Sequence, residues 1–238
     1  MHLKRSLIKF ITLVLVLCSM AAYPKGKAAK PKIIIHEIGQ KNSDSWVFST
    51  EIDQYQQSTY VNPSITYSSA NNLDITVSSQ NIPVWGGDSQ NFQDDTYLML
   101  SKTFRLDDSR DIIIGGQYGY QLYDKGVGKP HELFYIDTIH KINDNLSLHG
   151  GSYYVNSALS TTNNYTGAIT GLIFKYDSYI VRADYFGGHS NVSGATVSVG
   201  YFVKDWFNPY IGVGVPETNS GNEFYGIVGF TLSDKTLR

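Results

Sequence analysis

The side chains of this chain best suited to acid–base chemistry are its histidines, two of which lie near serine or asparagine. His149 is followed by Ser152, and His189 by Ser190 and Asn191. A serine beside a histidine base, with an orienting amide, would form a nucleophilic site for cleaving acyl or lipid esters. In extended chain, residues one or three apart face opposite sides, so neither pair should meet. We therefore predict no catalytic residue and expect both histidines to be hydrogen-bonded or solvated.

Metal ligation has little more support in the sequence. His36, His131 and His140 have no second ligand at a coordinating spacing. The loop carboxylates Asp88, Asp94 and Asp95 could at most hold a calcium ion weakly. The sequence thus predicts no metal centre and no cofactor.

The elements that position these side chains are indicated by an alternation of apolar and polar residues from Trp46 to Leu232. A period of two is typical of strands, because successive side chains point to opposite faces. Pro63 interrupts the second run, since its ring nitrogen cannot donate to a neighbouring strand, and two runs are short. Ten strands is therefore the alternative to a count of twelve. The twelve runs lie at 45–55, 60–69, 73–79, 95–105, 111–123, 131–141, 145–155, 165–176, 179–187, 194–204, 208–215 and 222–232.

The connections between the runs are alternately short and long. Even-numbered runs end in the short segments 70–72, 106–110, 142–144, 177–178 and 205–207, four of which carry an aspartate. Odd-numbered runs end in longer segments, notably 80–94 and 156–164, with 56–59 as the exception. Bacterial membrane barrels place short turns in the periplasm and longer loops outside. The pattern predicts an even strand number with both termini in the periplasm.

One face of most runs is apolar, with tyrosine near the run ends, as in Ile112/Ile114/Tyr118/Tyr120. Such tyrosines suit the aromatic girdles at the two membrane interfaces. On these features residues 45–232 resemble outer-membrane β-barrel proteins of Gram-negative bacteria as a class. The resemblance implies a monomeric, transmembrane, antiparallel up-and-down β-barrel. It also implies that the barrel-assembly machinery folds the chain and that outer-membrane lipid and lipopolysaccharide surround it.

The last run resembles the C-terminal strand that the assembly machinery recognises, with Phe230 and Leu232 on one face. The pattern of that class stops at an aromatic residue. Here Ser233 to Arg238 follow, which departs from the pattern.

The opposite faces of the runs carry polar and charged residues. A charge that faces lipid near the midplane is strongly destabilising, so these side chains should point into the lumen. Arg182 and Asp184 share a face and could pair with each other or with Lys175. The predicted lumen residues are Glu51, Asp53, Gln117, Gln121, Asp137, His149, Lys175, Arg182, Asp184 and Glu223, joined by Asp74.

Two interpretations of that lining stay open, a polar pore and a salt-bridged plug. Barrels of about eight strands are filled by side chains, whereas about 16 to 18 strands leave an aqueous channel, so twelve lies between. Inward glycines should leave room for water or solute, and bulky inward residues should narrow the lumen. The glycines are Gly115, Gly119, Gly151 and Gly171, and the bulky residues are Tyr123, Tyr153 and Phe186.

The N-terminus has the features of a cleavable export signal over residues 1–21. Basic residues precede the apolar run Phe10 to Leu17, and Ser19-Met20-Ala21 predicts cleavage after Ala21. Cys18 follows Leu17 rather than a small residue, so lipidation is not expected. Residues 22–44 are rich in Lys, Pro and Gly and predict a flexible periplasmic leader, leaving 45–238 as one barrel domain.

The predicted barrel is acidic. Of the 21 acidic residues two precede Trp46, and of the 19 basic residues eight do, which leaves 19 acidic and 11 basic residues and a formal charge of −8. Nucleic-acid binding needs a positive footprint on the phosphates, so we expect no nucleic-acid partner.

These observations predict a non-enzymatic outer-membrane barrel. It would be either a narrow channel for small polar solutes, with mild cation preference, or a barrel whose external loops carry its role. Two alternatives remain at this point. One is a lipid-modifying or lipid-hydrolysing barrel that uses His149 or His189, and the other is a secreted, soluble β-sandwich binding protein.

Overall fold

The computed structural model describes residues 43–86, 95–121, 130–218, 220 and 222–237, with Gln121 described in its backbone alone. The predicted signal peptide, the leader up to residue 42, and Asp88, Asp94 and Tyr123 lie outside the described residues. Within the described ranges, no helix has the length and apolar character needed to cross a membrane.

The described chain forms thirteen antiparallel strand segments that close into one barrel. β3 and β4 both pair with β2 and together act as one wall strand, while β1 pairs with both β2 and β13 and so closes the sheet. The result is a closed barrel of 12 strands, as predicted, rather than ten strands or a soluble sandwich. The segments are β1 (Ser45–Gln54), β2 (Ser58–Ser68), β3 (Leu73–Gln80), β4 (Ile82–Gly86), β5 (Asp95–Arg105), β6 (Arg110–Gln121), β7 (His131–Lys141), β8 (Leu146–Val155), β9 (Thr166–Tyr176), β10 (Tyr179–Phe186), β11 (Gly194–Tyr201), β12 (Phe207–Pro216) and β13 (Tyr225–Ser233).

Pro63 does not interrupt β2, contrary to the expectation from sequence. Ser64 faces Ser78 of β3 and Val61 faces Ile82 of β4, so Pro63 lies opposite the break between these two segments. Asn81, at the break, has a φ of 65°, and its backbone N–H donates to the Asn62 side chain rather than to backbone. The missing donor of Pro63 therefore falls where the regular ladder is already broken. The third strand is correspondingly longer than predicted, because residues 82–86 continue it beyond the break.

The two ends of the barrel differ in their connections. The turn end carries Ser45, Ser233 and the five short turns that follow β2, β5, β7, β9 and β11, and the loop end carries the remaining connections. Local chemistry explains the turns. Asp107 accepts hydrogen bonds from Ser109, and its contacts with Arg110 and Ser109 hold its pKa well below the usual range. Asp177 adopts a left-handed φ of 52°, which aspartate tolerates better than most residues do.

The outer surface carries an apolar band on the faces that alternation predicts. Large apolar side chains that would be buried in a soluble protein are instead exposed, for example Phe134 at 57% and Ile114 at 49%. Neighbouring residues of the same strands, such as Leu133 at 0% and Ile113 at 4%, point inward and are buried. An apolar exterior around a closed sheet is the pattern of a barrel surrounded by lipid.

The interior is filled on one side by large side chains that pack over glycines. Tyr97 is paired with Gly119, Tyr135 with Gly115 and Tyr153 with Gly167 on adjacent strands, and a Cβ at any of these glycines would overlap the tyrosine ring. The filled side is formed by the inward side chains of β5–β9. Its buried residues are Tyr97, Met99, Ile113, Leu133, Tyr135, Ile139, Tyr153, Val155 and Ile169.

The expectation that inward glycines leave room for water or solute is therefore wrong. Gly115 and Gly119 lie beneath tyrosine rings, and Gly171 lies beneath the imidazole of His149. A Cβ at Gly151 would overlap the Ile136 carbonyl and crowd Asp137. The space that a Cβ would occupy at these glycines is taken by neighbouring groups. Cross-strand packing of aromatic rings on glycine is known in other β-structures.

We predict that Gly119→Ala destabilises the barrel by about 1 to 3 kcal/mol, because the new methyl group displaces the Tyr97 ring. The matched control is Gly150→Ala, where the nearest atom to a Cβ is the Ile169 carbonyl oxygen at an ordinary 3.7 Å. Unfolding can be followed in urea, or by the temperature at which the compact gel band of the unheated barrel is lost. Equal stability of the two variants would contradict the packing described for Tyr97.

Candidate functional site: an off-centre lumen cavity

The lumen contains a cavity of about 290 Å³ on the side opposite the filled side. It extends along the barrel from Phe186 and Val192 near the loop end to Phe202 and Leu237 near the turn end. The barrel is therefore neither solid nor evenly open. The large rings of β5–β8 take up one side of the interior, and the space that remains lies against β1–β3 and β10–β13.

Small hydroxyl-bearing residues form most of the polar wall of this cavity. They alternate with outward residues along neighbouring strands, so their hydroxyls lie in rows across the wall. Some pair with each other, as Ser49 and Ser64 do at 2.7 Å between their Oγ atoms. Such groups offer donors and acceptors without adding charge. The hydroxyl residues are Ser49, Ser64, Thr66, Ser78, Thr196, Ser198 and Thr231, accompanied by the amides Asn62, Gln80 and Asn208.

Three charged residues line the same cavity, namely Glu51, Arg182 and Asp184. The Tyr210 hydroxyl donates to Glu51 at 3.1 Å, which fixes that carboxylate against the wall. Asp53 lies on the same face of β1, is 2% exposed, and accepts a hydrogen bond from the Asn62 amide at 2.8 Å. The wall thus combines a neutral hydroxyl surface with a small, mainly acidic group of charges.

A buried carboxylate–imidazole–carboxylate group separates the cavity from the filled side. His149 Nδ1 lies 3.0 Å from Asp137 Oδ2, and His149 Nε2 lies 2.8 Å from Asp184 Oδ1. The His149 and Asp137 side chains are 1% and 0% exposed, whereas Asp184 is 26% exposed and reaches the cavity. Because carboxylates only accept hydrogen bonds, the arrangement is complete when both ring nitrogens carry a hydrogen. The group cross-links β7, β8 and β10 inside the barrel.

Gly171 makes this link between non-adjacent strands possible. It lies on β9 directly between His149 of β8 and Asp184 of β10 in the strand register. A Cβ at residue 171 would overlap His149 Nε2. His149 and Asp184 both lie on inward faces. The sequence suggested Arg182 or Lys175 as partners of Asp184, and the strand register brings His149 to it as a partner.

The loop end above the filled side is covered by a loop cap, defined as residues 156–165 and 187–193. Leu159 and Val192 of the cap are buried with Leu133 and Val155 of the wall. Tyr153 donates from its hydroxyl to the Gly187 carbonyl at 2.8 Å, and the Asn191 N–H donates to the Leu159 carbonyl at 2.8 Å. The cap therefore belongs to the packed interior, and its Val192 also lines the loop-end part of the cavity.

The other sequence-predicted residues take separate positions. Gln117 is buried on the filled side at 3% exposure. Asp74 of β3 is also 3% exposed and is paired with Ser68 of β2 near the turn end. Lys175 lies on the last inward position of β9 near the turn end. Glu223 precedes β13 rather than lying in it, so it belongs to the loop-end rim instead of the wall.

The remaining histidines do not form a catalytic or metal-binding cluster in the described parts of the chain. Ser152 is exposed on the outer face while His149 is buried inside, and His189 contacts the Thr218 carbonyl oxygen through Nδ1. His131 Nδ1 lies 2.7 Å from the Tyr97 hydroxyl. No group of three His, Cys, Asp or Glu side chains is arranged there to hold a metal ion.

Sequence reasoning did not find the row of hydroxyls, the loop cap, or the position of Leu237 at the turn end. The hydroxyls were detectable in principle, because Ser, Thr and Asn repeat at every second position in the runs at 60–69 and 194–204. The cap and Leu237 follow no periodic pattern, so only the folded chain reveals them.

We predict that His149→Ala lowers the free energy of unfolding by about 3 kcal/mol, because it leaves the buried carboxylate of Asp137 without its imidazole partner. His140→Ala is the matched control, since His140 is exposed near the turn end of the adjacent strand. Urea titration of both variants in detergent micelles gives the comparison. If His149→Ala matched the control, the group would not contribute to stability.

Searches with protein-family models found no match, and no curated protein matched the sequence. Solved structures do match in fold. The KdgM porin superposes with a TM-score of 0.59 at 13% identity, covering 78% of this chain and 98% of that porin. A KdgM porin in complex with disordered oligogalacturonate gives 0.56 at 14% identity, with 79% and 98% covered. The NanC porin gives 0.55 at 9% identity, with 80% and 99% covered. The chain therefore has the 12-stranded barrel fold of these outer-membrane porins.

Proposed function

We propose that this protein is an outer-membrane channel for small polar solutes and that its permeant path is the off-centre cavity. The observation that carries the proposal is the continuity of the cavity, which reaches from the residues of the loop end to those of the turn end along a hydroxyl-lined wall. The apolar outer band supports a location in a membrane. The likeness to the KdgM and NanC barrels supports an outer-membrane porin architecture.

The lining favours uncharged or cationic solutes over anions. Acidic side chains outnumber basic ones among the inward residues of the described strands, and rings of acidic side chains are a common basis of cation selectivity. The inward acids are Glu51, Asp53, Asp74, Asp95, Asp111, Asp137 and Asp184. The inward basic residues are His149, Arg182 and Lys175, together with Arg105 and Lys141 near the turn end. Arg105 pairs with Asp108 and Lys141 pairs with Asp144, both of which lie on turns.

This charge balance separates the proposed path from one suited to a polyanion. Oligogalacturonate, present in one of the KdgM structures, carries a carboxylate on every sugar unit. A chain of that kind entering the cavity would pass Glu51 and Asp184, with Arg182 as the one cationic residue among the described residues that line it. Repulsion between like charges is strong in a narrow space of low dielectric constant. We therefore infer that acidic oligosaccharides are not the preferred solutes of this barrel.

Planar-bilayer recording of the purified barrel in a KCl gradient should show conductance with a reversal potential that indicates cation preference. Glu51→Gln should lower the cation-to-anion permeability ratio by about twofold and Arg182→Gln should raise it by a similar factor, because each changes one charge on the cavity wall. Added oligogalacturonate should not block the current.

Asp108→Asn is the matched control, since this carboxylate lies fully exposed on a turn at 111% of its reference area and outside the cavity. Its reversal potential should equal that of the parent protein. Absence of conductance in all four proteins would refute the channel, whereas conductance with anion preference would refute only the proposed selectivity.

A further inference from the structure

The chain does not stop at the end of β13 but turns back under the barrel. The C-terminal tail, defined here as residues 234–237, starts beside the first residues of β1. The Asp234 N–H donates to the Trp46 carbonyl at 3.1 Å, and the Trp46 N–H donates to the Asp234 carboxylate at 2.8 Å. These two bonds fix the start of the tail at the seam where the barrel closes.

The far end of the tail reaches the turn-end mouth of the cavity. Leu237 packs against the buried residues Ile173, Ile180 and Phe202, and its N–H donates to the Asp205 carbonyl at 2.6 Å. Leu237 and Phe202 also line the cavity itself. The tail thus places one apolar side chain at the end of the polar path.

The two ends of the tail are held very differently. Asp234 is held by two bonds to Trp46, Lys235 and Thr236 are exposed, and Leu237 is held by one backbone bond and a partly buried side chain. A partly buried leucine favours its docked position by about tenfold on the scale of apolar transfer free energies. Release of Leu237 therefore needs no change in the barrel wall and leaves the tail attached at Asp234.

We propose that the C-terminal tail is a hinged plug, which narrows the turn-end mouth when Leu237 is docked and widens it when Leu237 is released. The hinge is the exposed pair Lys235 and Thr236. The seat is the apolar cluster of Ile173, Ile180 and Phe202. The proposal rests on the channel function proposed above, and it adds a movable segment at the turn-end mouth.

The first test compares currents of the full chain with those of Leu237→Ser and of a chain that ends at Lys235, which keeps both Asp234 bonds. Leu237→Ser should shift the docked-to-released ratio by about tenfold, because the seat is apolar and serine is not, and the shorter chain lacks the docking residue altogether. Both changes should raise the mean current. Leu106→Ser is the matched control, since this leucine is 53% exposed on a turn and outside the cavity lining, and it should conduct like the parent. A conducting parent with the same current in all variants would overturn the plug.

A crosslink tests whether the tail moves, as opposed to the variants simply changing the width of the turn-end mouth. In a chain with Cys18→Ser, the pair Phe202→Cys and Leu237→Cys places two thiols at the docking contact. Oxidation should hold the current at its low level, and a reductant should restore the fluctuating, higher current. A current that ignores the redox state of an intact crosslink would overturn the hinge.

A second readout does not depend on conduction. In the same Cys18→Ser background, the thiol introduced by Leu237→Cys should react with a water-soluble maleimide several-fold more slowly than the thiol introduced by Thr236→Cys at an exposed position, because docking shields it. Equal reaction rates would refute docking. If no variant conducted but the rates differed, the channel proposal would fail while the docked tail stood.

Discussion

The interior of this barrel depends on one steric constraint, in which inward tyrosines pack over glycines of neighbouring strands. Tyr97 over Gly119, Tyr135 over Gly115 and Tyr225 over Gly214 are directly paired across adjacent strands, and none of these rings would fit beside a Cβ. A ring that packs over a glycine backbone occupies interior volume without requiring a wider barrel. On β5–β9 these rings pack together with the buried apolar residues Ile113, Leu133, Ile139 and Ile169, so that side fills and the cavity lies toward β1–β3 and β10–β13.

The same constraint organises the polar interior. Gly171 lets the His149 imidazole extend across β9 to Asp184, so that a charged group joins strands that share no ladder. Buried charges persist only where partners satisfy them, and here Asp137 is fully enclosed while Asp184 reaches the cavity. One polar group therefore does two things. It stabilises the boundary of the filled side, and it presents part of its charge to the open side.

The sequence predicted those features that depend on local pattern. Alternation indicated the strand faces, and short turns with aspartates such as Asp107 and Asp177 indicated the even strand number, with β1 starting and β13 ending at the same end of the barrel. It did not predict what lies beneath each ring, because a period of two assigns a face but not the partner across the sheet. That partner is set by strand register, which the turn or loop of each hairpin fixes. Gly119 and Gly171 consequently looked like empty space although both are occupied by neighbours.

The segments at the two ends of the cavity were the hardest to predict from the sequence, because they lie outside the strands. The loop cap and the tail follow neither a helical nor a strand period, and each is positioned by its contacts with the wall. Their attachments also differ in strength. The cap buries Leu159 and Val192 and is held by hydrogen bonds from Tyr153 and Asn191, whereas the far end of the tail depends on Leu237 and one backbone bond. Local opening is easiest where few buried contacts must be broken. Of these two segments, the tail should therefore open more readily at the turn end, while the loop cap stays fixed with the filled side.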